Sequence, residues 1–86
     1  MYIHLGRDTV VSAREVVGVL DLDTSTFSKH TKNFLTSCEK KGRVINICDD
    51  LPRSAVVVSR GGQQLVYISQ LSTRTLLKRA QGLQGI

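Results

Sequence analysis

The first apolar positions come in short β-branched bursts. Tyr2-Ile-His-Leu5 alternates, a Gly6-Arg-Asp8 turn follows, and Thr9-Val-Val-Ser12 and the more apolar Val16-Val-Gly-Val-Leu20 come next. Such runs between turn residues predict three short strands. The period then changes. Phe27, Thr31, Phe34, Leu35 and Cys38 recur at helical spacing, with Lys29, Lys32, Thr36 and Lys40 on the opposite face. This predicts a helix from about Thr26 to Lys41. Asp21-Leu-Asp-Thr-Ser25 supplies N-cap residues before it, and Gly42 a stop after it. The segment holds many Ser and Thr residues, so packing must support its helicity more than propensity does.

The second half returns to a strand pattern. Val44-Ile-Asn-Ile-Cys48 is predicted as a strand and Asp49-Asp-Leu-Pro-Arg53 as a loop. Ser54–Ser59 and Gln64–Ser69 then flank Arg60-Gly-Gly-Gln63, whose glycines permit the positive φ of a hairpin turn. The last segment, Leu71-Ser-Thr-Arg-Thr-Leu-Leu-Lys-Arg-Ala-Gln81, is predicted as a helix capped by Ser72 or Thr73. Leu76, Leu77, Ala80 and Leu83 form its apolar stripe. The pattern predicts an α+β domain spanning residues 1–86: a small antiparallel β-sheet of five to six short strands with two helices. Val56-Val-Val58 and Leu65-Val-Tyr-Ile68 do not alternate, so these strands should be buried on both faces. Two helices are expected to cover one face, which leaves the other for a second subunit and predicts a homo-oligomer.

Length and chemistry narrow the function. With 86 residues there is room for one domain. Such a domain buries roughly 60–70% of its unfolded surface and is marginal alone. Met1-Tyr-Ile-His-Leu5 does not read as a signal peptide, and no apolar run reaches the roughly 20 residues that span a bilayer. Two cysteines, Cys38 and Cys48, make no disulfide framework. The expectation is a cytoplasmic protein with reduced thiols. His4, His30, Cys38 and Cys48 lack metal-ligand spacing, so no metal is expected. There is no Gly-x-Ser-x-Gly elbow, no acid/base pair in recognisable context and no phosphate loop. No catalytic residue, cofactor or small-molecule substrate is therefore assigned, and the chain is read as a non-enzyme.

Charge changes the picture once it is located. The net charge is +5, yet residues 1–50 balance seven Lys/Arg against seven acids. All the excess lies in residues 51–86, where Arg53, Arg60, Arg74, Lys78 and Arg79 meet no acid. Such asymmetry points to a polyanionic partner. Arg74 and Lys78 lie four apart on one helix face, with Arg79 alongside. Arg14, Arg43 and Arg53 stand at strand or loop edges and are expected to converge on one rim. Tyr2, Phe27, Phe34 and Tyr67 are the only aromatics, too few and too apolar in setting for the stacking that single strands require. Double-stranded DNA held through its phosphates is the expected partner. The final helix lacks interfacial aromatics, which argues against a membrane.

Three stretches carry a resemblance: Met1-Tyr-Ile-His-Leu-Gly6, Val10-Val-Ser-Ala-Arg-Glu-Val-Val-Gly-Val19 and Ser69-Gln-Leu-Ser-Thr-Arg-Thr-Leu-Leu-Lys-Arg-Ala-Gln81. Together they resemble the Rem family of extracellular matrix regulators, in its RemB-like branch, nearly end to end. The resemblance implies a DNA-binding regulator of biofilm matrix genes, a fold like that of LytTR-type DNA-binding domains, and a ring-forming homo-oligomer that presents arginines to DNA. Arg14 falls at or next to an arginine position of the family motif, and Arg79 matches a basic position near its end. Arg53 falls where the family carries a Gly-Arg-Arg-Thr-Arg cluster. This chain has Asp50-Leu-Pro-Arg-Ser54 there and keeps one of those arginines. A second reading follows from that departure: a structural or protein-interaction module that partners a related regulator without gripping DNA tightly.

Overall fold

The computed structural model describes residues 2–22 and 29–84. In chain order the elements are β1 (Tyr2–Gly6), β2 (Thr9–Ser12), a 3-10 turn (Ala13–Glu15), β3 (Val16–Asp21), α1 (Lys29–Lys40), β4 (Val44–Asn46), β5 (Ser54–Arg60), β6 (Gln63–Ser69) and α2 (Thr73–Gln84). The α+β class, the six strands and the two helices are as expected. Phe27 and most of the capping segment before α1 lie outside the described residues.

The strands form two sheets, the β1–β2 hairpin and a four-stranded sheet ordered β3-β5-β6-β4. Gly61 and Gly62 turn β5 into β6 with φ +59° and +80°. Two successive positive φ values match the right-handed twist of the flanking strands. The register runs from Arg60↔Gln63 at this hairpin end to Ser54↔Ser69 at the opposite, loop end. One strand departs from the antiparallel expectation: β4 runs parallel to β6. The cause lies in how α1 ends. Gly42, at φ +69°, closes a Schellman turn in which the Gly42 N–H donates to the Glu39 carbonyl and the Arg43 N–H to the Cys38 carbonyl, at 3.0 and 2.9 Å. This delivers the chain to β4 beside Val66, and β4 then runs in the direction of β6.

The continuous apolar runs are buried on both faces, but within one chain. Ala55, Val57 and Val66 face α1 through Cys38, Phe34 and Leu35. Val56, Val58 and Tyr67 face the other way, onto Ile3, Leu5 and Val11 of the β1–β2 hairpin and Leu76 of α2. The expectation that a second subunit must cover that face is therefore corrected. The alternation in Tyr2–Leu5 makes the hairpin the missing lid, because its inward side chains replace a subunit contact. The result is three layers: α1, the four-stranded sheet, and a mixed layer of β1–β2 and α2.

Two buried serines join the layers. The Ser69 hydroxyl donates to the Leu5 carbonyl at 2.7 Å and accepts from the Leu71 N–H at 3.0 Å. The Ser54 hydroxyl donates to the Leu71 carbonyl at 2.7 Å. Among the described residues no buried side-chain N or O lacks a partner. The cost of leaving such groups unpaired explains why serine occupies these core positions.

Candidate nucleic-acid interface

The final helix is held at both ends of its described side chains. The Ser72 hydroxyl accepts the Thr75 N–H at 3.1 Å, which makes Ser72 the N-cap. Leu76 is buried against the hairpin layer. Three residues after Leu76, the Arg79 guanidinium donates to the His4 carbonyl at 2.6 Å and lies 3.2 Å from His4 Nδ1. His4 Nε2 sits 2.5 Å from the Arg7 carbonyl, so the ring donates there and its Nδ1 is left to accept from Arg79. Arg74 and Lys78 remain exposed on the outer face. The helix thus presents cations and no acid from a fixed position.

The remaining predicted arginines are spread over the sheet. Arg14 is exposed in the 3-10 turn at the hairpin end. Arg43 is half-buried where the chain enters β4, and its carbonyl accepts the Val66 N–H at 2.9 Å. Arg53 is at the loop end, with its N–H on the Ser69 carbonyl and its carbonyl holding the Leu22 N–H. Seven residues of β5 separate Arg53 from the end where Arg14 lies, roughly 20 Å at about 3.3 Å per residue. A shared rim for Arg14, Arg43 and Arg53 therefore does not form within one chain. Next to Arg14 in the chain, Glu15 is bound by Arg60 instead. The Arg60 guanidinium donates twice to the Glu15 carboxylate, both at 3.1 Å. Those bonds raise its pKa above the ordinary arginine value. Arg7 forms an ion pair with Asp49 at the loop end.

Periodicity did not reveal the groove beside α2. Leu76 and Leu77 are adjacent, so they diverge by about 100° around the helix. Leu76 is buried, whereas Leu77 is 58% exposed. Ala80 and Leu83, the rest of the predicted stripe, lie outside the described side chains. Leu77 lines an apolar groove of about 500 Å³ with Ile3, Leu5, Val16, Val19 and Val56, and Arg74 stands at its margin. The groove opens beside β3, an edge strand of the sheet on which Val17 and Val19 are 59% and 41% exposed. Adjacent leucines at a helix start were the only signal for it.

Other chemistry is sparse. Cys38 is buried and Cys48 half-buried, and both are free. Among the described residues, no three His, Cys, Asp or Glu side chains converge to hold a metal ion. No described helix is long and apolar enough to cross a membrane.

The chain is thus a small three-layer α+β domain with a one-signed helix and an open apolar groove. Its sequence matches the RemA-like family, described as extracellular matrix regulatory protein A-like, over residues 2–80. The chain belongs to that family. It is 42% identical over 81 residues to extracellular matrix regulatory protein B of Bacillus subtilis (strain 168), covering 94% of this chain and 91% of the relative.

Proposed function

We propose that this chain is a non-enzymatic transcriptional regulator of extracellular matrix genes, working in the cytoplasm as a homo-oligomer on double-stranded DNA. The observation that carries the reading is α2: Arg74, Lys78 and Arg79 on a helix fixed by the Ser72 cap and the Arg79–His4 bonds, with no acid along it. Arg14, Arg43 and Arg53 add phosphate contacts from neighbouring subunits, since one chain holds them apart. The groove beside β3 supports assembly, because its exposed Leu77 and Val19, with Val17 on the adjoining edge strand, match what a subunit contact would bury. Membership in a family named for matrix regulation supports the target class.

Affinity of this kind comes mainly from counterion release. Three phosphate contacts give a slope of log K on log salt of about −2.7, a loss of roughly 40-fold between about 50 and 200 mM. Repeating the patch around an oligomer multiplies a weak grip by avidity. Sequence preference arises from DNA shape, as neither helix is arranged as a free major-groove reader.

One feature favours the second reading, a protein-interaction module. The loop before β5 carries Asp49 and Asp50, and Asp49 neutralises Arg7. Fluorescence anisotropy with labelled duplex, run as a salt titration, separates the readings. Steep salt-dependent binding that Arg74→Glu/Lys78→Glu abolishes supports the DNA regulator. Absence of binding at low salt, with intact assembly, refutes it and leaves the interaction module.

A further inference from the structure

Counting charge along the chain hides how the fold redistributes it. Residues 1–50 balance in sequence, but most of their acids gather at the loop end. Asp21 pairs in register with Ser54, Asp49 binds Arg7, and the Asp49 N–H donates to the Gln70 side-chain oxygen just before α2. Asp8 lies in the β1–β2 turn and Asp50 in the loop beside Asp49. Glu15 is engaged by Arg60 at the hairpin end. Five of the seven cations of that half lie on α1 or just past its end. Residues 29–43 carry Lys29, Lys32, Lys40, Lys41 and Arg43 against Glu39 alone.

The helix orients this charge outward. Phe34, Leu35 and Cys38 are spent on the sheet face made by Ala55, Val57 and Val66. Lys29, Lys32, Lys40 and Lys41 are exposed. Spacings of three, eight and one residue keep Lys29, Lys32 and Lys40 on one side of the helix, with Lys41 just past its end. The Schellman turn at Gly42 then fixes Lys41 and Arg43 beside the end of α1. We infer that the outer face of α1 and its end, with Lys29, Lys32, Lys40 and Lys41, is a second duplex-DNA phosphate surface, on the opposite side of the sheet from α2.

This inference rests on the proposed DNA-binding function and adds a consequence to it. With the sheet between them, α1 and α2 face in opposite directions, so one straight duplex cannot lie on both helices of a chain. Each subunit therefore has two DNA-facing sides, and the protein joins two duplex segments. A lipid surface fits α1 less well, because its apolar face is already packed on the sheet and has nothing left to insert.

The test uses the full chain in three forms: wild type, Lys29→Gln/Lys40→Gln/Lys41→Gln, and the charge-preserving Lys29→Arg/Lys40→Arg/Lys41→Arg. Circular dichroism confirms folding. If the glutamine triple variant unfolds, the single changes Lys29→Gln and Lys40→Gln replace it. Two readouts are taken: the salt slope of duplex binding, and capture of a second labelled duplex by protein held on bead-bound duplex. Neutralisation is expected to lower the slope by about 0.9 for each phosphate contact removed, and to abolish capture while binding to the first duplex persists. The arginine variant should behave as wild type. Wild-type slope and capture in the glutamine variant, with binding lost in Arg74→Glu/Lys78→Glu, overturn this inference and leave the proposed function standing. No duplex binding by wild type defeats the proposed function itself. Lysine-dependent binding to phosphatidylserine vesicles without duplex capture assigns the surface to lipid and overturns the inference.

Discussion

Ser69→Ala should be among the most damaging small changes in the molecule. The side chain is fully buried and nearly isosteric with alanine, so almost no cavity forms. What disappears is a hydroxyl that donates to the Leu5 carbonyl and accepts from the Leu71 N–H, at 2.7 and 3.0 Å. Each lost bond is worth about 0.5–1.5 kcal/mol, and a buried group left without a partner moves the cost to the upper end. The expected loss is about 2–3 kcal/mol, a large part of the stability of a domain this size. Ser54→Ala is the internal control, since it removes a single bond of 2.7 Å to the Leu71 carbonyl, worth about 1 kcal/mol. Urea unfolding followed by circular dichroism measures both. With a slope of about 1 kcal/mol/M, the Ser69→Ala midpoint falls by roughly 2–3 M. Protein concentration must be matched, because assembly adds concentration-dependent stability. A Ser69→Ala loss no larger than that of Ser54→Ala would refute the claim that Ser69 ties β1 to the entrance of α2.

Leu77→Asp, on the exposed side of the groove, is expected to leave far-UV circular dichroism unchanged and to reduce the particle to a 9.5 kDa monomer by light scattering; a wild-type mass in the variant places the subunit contact elsewhere. Gly61→Ala meets no atom within 4 Å but must hold φ +59°, so it should cost about 1–2 kcal/mol of backbone strain in the same urea assay. Val58→Ala removes buried methyl groups between the sheet and the hairpin and should cost about 2 kcal/mol from lost burial and residual cavity. Arg79→Ala frees the end of α2 from His4; faster amide exchange in α2, without a change in β5 or β6, is the expected signature.

Features set by local chemistry were legible in the sequence. The Gly61-Gly62 turn, the Gly42 stop and the Ser72 cap each depend on residues within a few positions, and each occurs where the residue types require it. The double burial of Val56–Val58 was legible too, because a run without alternation has no wet side. What covers that run was not. Whether a hairpin, a helix or another subunit fills the second face depends on where Ile3, Leu5 and Val11 arrive in space. The direction of β4 was hidden for a similar reason: Val44-Ile-Asn46 reads alike in either orientation, and α1 decides it. Among the site residues, the α2 cations stayed together because one helix carries them. Arg14 and Arg53 parted because they flank opposite ends of paired strands. Leu76 and Leu77 were read as one apolar stripe because one turn of helix cannot show which of two neighbouring leucines is inward.

The contact between Arg79 and His4 closes a span of 75 residues, and that between Ser69 and Leu5 a span of 64. During synthesis the first hairpin emerges long before its partners exist. Its inward side chains must wait, half-satisfied, until β5, β6 and α2 have been made. Completion of this fold is consequently a late event on the ribosome, and a prematurely ended chain lacking α2 would expose the very valines that the finished protein conceals.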